Sequence, residues 1–171
     1  VRFALASIKV AAVVGIFGTL AVMFTGDSSA IHVSKYQPMK LAAAEGLENG
    51  GRRAPFSIVP GIEIPGMLSI LATHDLDGYV PGINDILSGY TDNDGNKVLS
   101  ADEKRERGGL AVNAFKAYRE NKDTNPEAAA EARKVLDENV EYFGYGYIKD
   151  KNDLVPPVWL VYWPFRIMVG L

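Results

Sequence analysis

The pattern of apolar and polar positions divides the chain into two apolar ends around a long polar middle. From Phe3 to Phe24 the sequence FALASIKVAAVVGIFGTLAVMF runs for 22 residues with Lys9 as its only charge. At about 1.5 Å rise per residue such a run covers the roughly 30 Å hydrocarbon core of a bilayer, so it predicts a membrane helix. Ser7, Gly15, Gly18 and several alanines are small residues of the kind that let membrane helices pack closely. The polar run Thr25-Gly26-Asp27-Ser28-Ser29 is expected to stop that helix. A secretory signal peptide also starts basic and turns apolar. This run is long for one, however, and the chain begins at Val1 rather than Met. A buried soluble helix is a further alternative, unusual for a segment apolar all round.

The other end reads LVPPVWLVYWPFRIMVGL. Pro156, Pro157 and Pro164 suit a helix start. Trp159, Tyr162 and Trp163 form an aromatic cluster typical of a membrane interface. The apolar run is still under way at Leu171, which predicts the start of a second span and a fragment of a larger membrane protein. The polar middle would then be a large loop on one face of the membrane. Arg2 and Lys9 favour a cytoplasmic amino end, a weak signal for so long a loop.

Inside the middle, Pro38 followed by MKLAAAEGLE predicts a short helix closed by Asn49-Gly50-Gly51. Pro60, Gly61, Pro65 and Gly66 preclude one continuous helix or a central strand in FSIVPGIEIPG. Met67 to Ala72 is apolar enough for a short helix. Two amphipathic helices follow. Ala101–Asn121 has Ser100 as N-cap, Asp102 and Glu103 in its first turn, and a stripe of Ala111, Phe115 and Tyr118; Gly108-Gly109 weaken it. The next begins at the capping box Thr124-Asn-Pro-Glu127 and carries Ala132, Leu136, Val140 and Phe143 on one face.

Overall composition adds one correction. At 47% hydrophobic and 23% charged, with a net charge of −3, the averages describe an ordinary soluble domain. The charges are uneven, because 35 of 39 lie between Ile31 and Asp153. The predicted class is therefore mainly α: a membrane helix (1–26), a helical loop domain on one face of the membrane (27–153), and the entry into a next membrane helix (154–171), part of a polytopic helical membrane protein. The absence of cysteine excludes disulfides, thiolate metal sites and thiol nucleophiles. The acidic balance gives no case for nucleic acid.

Four constellations carry candidate chemistry. Asp92 to Glu103 resembles a calcium loop, with oxygen ligands Asp92, Asp94 and Asn96 at alternate positions and Glu103 at position twelve. Lys97 stands where that loop requires Gly, and the alternative is a turn that caps the next helix. His74, Asp75 and Asp77, with His32 elsewhere, lack metal-ligand spacing. Glu63 in G-I-E-I-P sits among apolar residues; burial would disfavour its charged form, whereas an exposed loop glutamate is the plain alternative. Met168 carries a soft sulfur suited to haem iron, and Arg166 could pair a haem propionate. Two positions apart on a helix the pair lies about 200° apart, and a lipid-facing or core Met is the plain alternative.

YQPMKLAAAEG (Tyr36–Gly46), IEIPGMLSILATHD (Ile62–Asp75), FGYGYIKD (Phe143–Asp150) and FRIMVGL (Phe165–Leu171) together resemble subunit I of cytochrome bd-type quinol oxidases. The order fits that family's sixth helix, quinol-binding loop and start of the seventh helix. The resemblance implies oxidation of ubiquinol or menaquinol, electron transfer through a low-spin haem b (b558 type), and reduction of oxygen to water. Haem b595 and haem d would be ligated elsewhere in the subunit. It implies a partner subunit II, the remaining helices of subunit I, lipid, and a place in the bacterial cytoplasmic membrane with the loop domain (27–153) extracytoplasmic. Met168 would be a haem b axial ligand and Arg166 would lie beside that haem. Glu63 would be the loop carboxylate of quinol oxidation. Gln37, Lys40, Arg52 and Arg53 are further loop candidates. The family carries a lysine a few residues before its loop carboxylate, but Ile58 stands five before Glu63. A membrane-anchored sensor domain with a calcium-responsive loop, or a structural loop without retained function, are the alternatives.

Overall fold

The computed structural model describes residues 2–59 and 61–170, without the side chains of residues 2, 6, 58, 59, 169 and 170. Pro60, Leu171 and the side chains of Arg2 and Ile58 thus lie outside the described residues.

Helix α1 spans Arg2–Tyr36 and is the one described helix long and apolar enough to cross a membrane, its most apolar 18-residue stretch having a mean hydropathy of 2.1. Its apolar side chains, Phe17 and Val22 among them, stand open rather than packed in a core. A surface of that kind suits lipid. The expected stop at Thr25–Ser29 does not occur. Thr25 Oγ1 donates to Ala21 O at 3.0 Å and Ser29 Oγ to Thr25 O at 2.8 Å. Hydroxyls that bond back along the helix are satisfied without ending it. Two more turns therefore project the polar region from the apolar stretch.

Helix α2, Pro38–Glu45, follows after the single residue Gln37. It ends earlier than expected, at Gly46, whose φ of 66° lets Leu47 N reach Ala42 O at 2.8 Å. Next come β1 (Gly51–Arg52), β2 (Phe56–Val59), β3 (Ile62–Ile64), α3 (Met67–Thr73), β4 (Tyr79–Val80) and α4 (Ile83–Ser88). Strands β1 and β4 pair antiparallel, as do β2 and β3, so the Pro/Gly-rich stretch is a hairpin with an irregular register. Ser69, buried on α3, accepts from Ala54 N at 2.8 Å and donates to Gly78 O at 2.7 Å. Asp85 Oδ2 accepts from Gly50 N at 2.5 Å and Gly82 N at 2.9 Å. A Cβ on Gly82 would lie 2.5 Å from the Asn49 backbone, so only glycine permits this crossing. Two small cores result. Ala54, Leu68, Ala72 and Val80 form one, and Ala42, Ile83 and Ile86 the other.

Helix α3 is also tied to α1. Ser34 Oγ donates to Ala72 O at 2.8 Å, and His74 Nε2 donates to Asp27 Oδ1 at 2.8 Å. After the short hairpin β5 (Tyr90–Thr91) and β6 (Lys97–Val98), α5 (Ala101–Asn121) and α6 (Pro126–Asn139) form a helical hairpin. The cap of α6 is Asn125, one residue past the expected Thr124, with its Oδ1 accepting from Ala128 N at 3.3 Å. A 3-10 stretch, Val140–Tyr147, returns along α5. Gly108 is a contact point there rather than a weakness: a Cβ on it would meet Gly146 N and Tyr142 O at 2.4 Å. Phe143 packs edge-on between Phe115 and Tyr147. A 3-10 turn, Lys151–Leu154, leads into α7, Val158–Gly170.

Candidate functional site

The opening motif of the loop lies at the centre of the arrangement. Pro38 pre-sets the first turn of α2 and Gln37 occupies its N-cap position. Gln37 and Lys40 are exposed on the side of α2 that borders a cavity of about 490 Å³. Its walls also come from Ile86 of α4, Lys104 of α5, Tyr145 of the 3-10 stretch and Val161 of α7. Every helical part of the polar region except α3 and α6 thus contributes a wall. The volume lies in the range of pockets that take small organic ligands.

The other side of α2 packs on α7. Arg166 Nη2 donates to Glu45 Oε2 at 2.6 Å, with the two side chains only 5% and 4% exposed. The guanidinium carbon also lies 5.1 Å from the ring centre of Phe56 and 4.9 Å from that of Tyr162. Gly46 admits Tyr162 at this contact, where a Cβ would come within 3.2 Å of the ring. Nothing in its local sequence marks Glu45 as buried. The one signal was its place in the Q-P-x-K-x-A-A-x-E string.

Met168 stands on the opposite side of α7 from Arg166 and is 69% exposed. An exposed thioether fits one side of a haem iron. Arg166 turns its Nη groups toward Glu45, while its buried Nε has no hydrogen-bond partner among the described residues. The two-residue spacing turns one side chain inward when the other faces out.

Glu63 sits on β3 opposite Ser57 and is exposed, as are Ile62 and Ile64 beside it. The apolar enclosure that local sequence suggested is not formed by its neighbours. Arg52 and Arg53 come together at Asp77: Arg52 Nη1 donates to Asp77 O at 3.0 Å, and Arg53 Nε lies 3.5 Å from Asp77 Oδ1. They close the turn after α3 and lie away from the cavity walls.

The Asp92–Glu103 segment folds as the turn and cap, not as a calcium loop. Asp92 Oδ1 accepts from Asp94 N and Asn96 N, and Asn96 Nδ2 donates to Asp92 Oδ2. Gly95 takes the left-handed position with φ 84°, and Lys97 is already paired with Thr91 in the β5–β6 ladder. Glu103 Oε2 accepts from Ser100 N and Oγ, closing a capping box on α5. Asp94 and Glu103 therefore do not converge with Asp92 on one point, and no cluster of three or more metal-binding side chains forms among the described residues.

A long exposed apolar helix, a second apolar helix locked to the opening motif, and a cavity bordered by both fit a helical membrane protein. The chain belongs to the cytochrome bd terminal oxidase subunit I family, whose profile matches residues 1–171. It is 33% identical to cytochrome bd-II ubiquinol oxidase subunit 1 of Escherichia coli over 93% of this chain and 34% of that protein. It is 29% identical to cytochrome bd ubiquinol oxidase subunit 1 of Bacillus subtilis over 96% of this chain and 26% of that protein. The chain thus spans about a third or a quarter of the length of these relatives.

Proposed function

We propose that this chain supplies the quinol-site loop and part of the haem b site of a terminal oxidase that oxidises quinol and reduces oxygen to water. The whole enzyme would contain subunit II and the remaining helices of subunit I in the bacterial cytoplasmic membrane, with residues 27–153 outside. The observation that carries this reading is the double role of α2. One side offers Gln37 and Lys40 to a ligand-sized cavity. The other is bonded through Glu45 to the helix that bears Met168. Substrate loop and haem helix are held together by one short element.

Met168 would help hold a haem b, which would supply one-electron acceptance when bound. The protein's own part is to place the head group and receive protons. Lys40 is a donor for a ring oxygen. We assign the loop carboxylate to Glu45 instead of Glu63. Glu45 acts on turnover through the α2–α7 joint, because it lies across α2 from the cavity and is bonded to Arg166. Glu45 stands five residues after Lys40, the spacing that Ile58 and Glu63 fail to provide, and it contacts the Met168 helix. Glu63 lies exposed on β3.

The test is a set of full-length variants assayed for quinol-dependent oxygen uptake and for the haem b spectrum. Glu45→Gln should lose most quinol turnover while retaining the spectrum, Glu63→Gln should lose little, and Met168→Leu should lose the low-spin signal. Full turnover in Glu45→Gln would remove that carboxylate from the reaction. An intact spectrum in Met168→Leu would remove the ligand.

A further inference from the structure

The cavity beside Gln37 and Lys40 has a second cationic wall that no motif marks. Lys104 lies on the first turns of α5, more than sixty positions along the chain from Lys40, and lines the same cavity. Its ammonium stands 5.8 Å from the ring centre of Tyr145. Lys104 is half-buried and belongs to none of the ion pairs among the described residues. Burial pushes the Lys104 amine down and the Tyr145 phenol up, the behaviour of polar groups withdrawn from water. Glu141 acts on the Lys104 ammonium electrostatically but forms no ion pair with it, so this half-buried donor gains by meeting an acceptor carried on a ligand.

The rest of the cavity specifies that ligand's shape. Met39, Ile86 and Val161 give apolar walls, and polar donors stand at separate sides, Gln37 and Lys40 from α2 and Lys104 from α5. Pro156 and Val161 carry the wall to the start of α7, the side from which a membrane-dissolved molecule would arrive. A flat ring with an oxygen at either end and an apolar tail matches these demands. A phosphate or a free sugar does not, because either would leave the apolar walls against polar groups.

We propose that Lys104 and Tyr145 complete the binding site for the quinol head group, with Lys104 donating a hydrogen bond to one ring oxygen and the Tyr145 ring covering that donor. The proposal rests on the quinol reading above and extends it to the later half of the loop. The head group would be clamped between α2 and α5, elements that the chain brings together only by folding. Lys104 is then a specificity-determining residue for the quinol.

The experiment uses the full-length oxidase with Lys104→Met, Lys104→Arg and, separately, Lys40→Met, and a soluble short-chain quinol as substrate. Loss of one charge-assisted hydrogen bond should raise KM about tenfold in Lys104→Met, with a smaller change in kcat and an unchanged haem b spectrum. Lys104→Arg, which keeps a donor, should recover most of the affinity. An unchanged KM in Lys104→Met alongside a raised KM in Lys40→Met overturns this proposal and leaves the quinol reading standing. Unchanged KM in both overturns the assignment of this cavity to quinol. A lost haem spectrum in Lys104→Met, not recovered by arginine, shows a structural residue and also overturns it.

Discussion

Arg166 and Glu45, 121 positions apart in sequence, form a buried ion pair at 2.6 Å that joins the last helix to the first short helix of the loop. The guanidinium is enclosed by Phe56, Tyr162 and Phe165, so neither charge is hydrated if the other is removed. The geometry binds the two apolar ends into one structure through α2.

This pair makes a strong prediction about stability. Arg166→Leu or Glu45→Leu alone should destabilise the subunit by about 3–5 kcal/mol, the cost of leaving one uncompensated buried charge. The double replacement should recover much of that loss. Thermal unfolding of the purified complex measures it, and additive single effects would show that the two side chains do not depend on each other.

Adjacent glycines on α5 should behave in opposite ways. Gly108→Ala places a methyl 2.4 Å from the backbone of Gly146 and Tyr142, which cannot yield as a side chain would. It should cost about 2 kcal/mol or more and detach the Val140–Tyr147 stretch, exposing it to proteolysis. Gly109 has nothing within 4 Å of a Cβ, so Gly109→Ala should be neutral or stabilise α5 by up to about 1 kcal/mol. Equal effects at the two sites would contradict the packing of the return segment.

Acid should loosen the start of α5 and the turn before it. Hydrogen bonds from Ser100 hold the Glu103 carboxyl below its ordinary value of 4.5, and those from Asn96 hold Asp92 below 3.8. Because both values fall on folding, the stabilisation is present above those ordinary values. It is lost as pH drops from them through the lower folded values. Amide exchange of Glu103 and Asn96 followed between pH 6 and 3 should accelerate in that window, and Ser100→Ala, which keeps the backbone donor, should weaken the effect at Glu103. Exchange that is indifferent to pH in this range, after correction for intrinsic rates, would mean the caps are not formed.

Calcium should leave the same segment unchanged. Glu103 is engaged with Ser100, and the turn closes at Gly95 before the position where a calcium loop bends. Titration calorimetry with calcium should show no saturable heat assignable to this loop. Saturable binding abolished by Asp92→Asn would restore the metal reading.

Much of the architecture was legible along the chain. The helix within Arg2–Tyr36, the capping residue Ser100 and the proline-led helices α2 and α6 all follow from local rules. Where those rules misled, longer-range contacts were responsible. Thr25–Ser29 reads as a breaker, but its hydroxyls are satisfied inside the helix, and α3 supports that turn through His74 and Asp27. The calcium-like spacing of Asp92–Glu103 was sound as a pattern, and in the fold the same oxygens satisfy backbone donors nearby instead of converging on one point.

The candidate site was less legible. Met168, Gln37 and Lys40 were named from short strings, whereas Glu45 and Lys104 were not, since a glutamate near a helix end and a lysine in a charged run look solvated. Hydropathy and turn chemistry are local, so residue order alone was enough for a membrane helix followed by a charged helical loop and a second apolar entry. Which carboxylate is buried and which lysines share one cavity depends on contacts between positions far apart in the chain. Those contacts exist only after α2 has packed against α7 and α5 has closed over it, because burial is a property of the assembled surfaces and not of the neighbours in sequence.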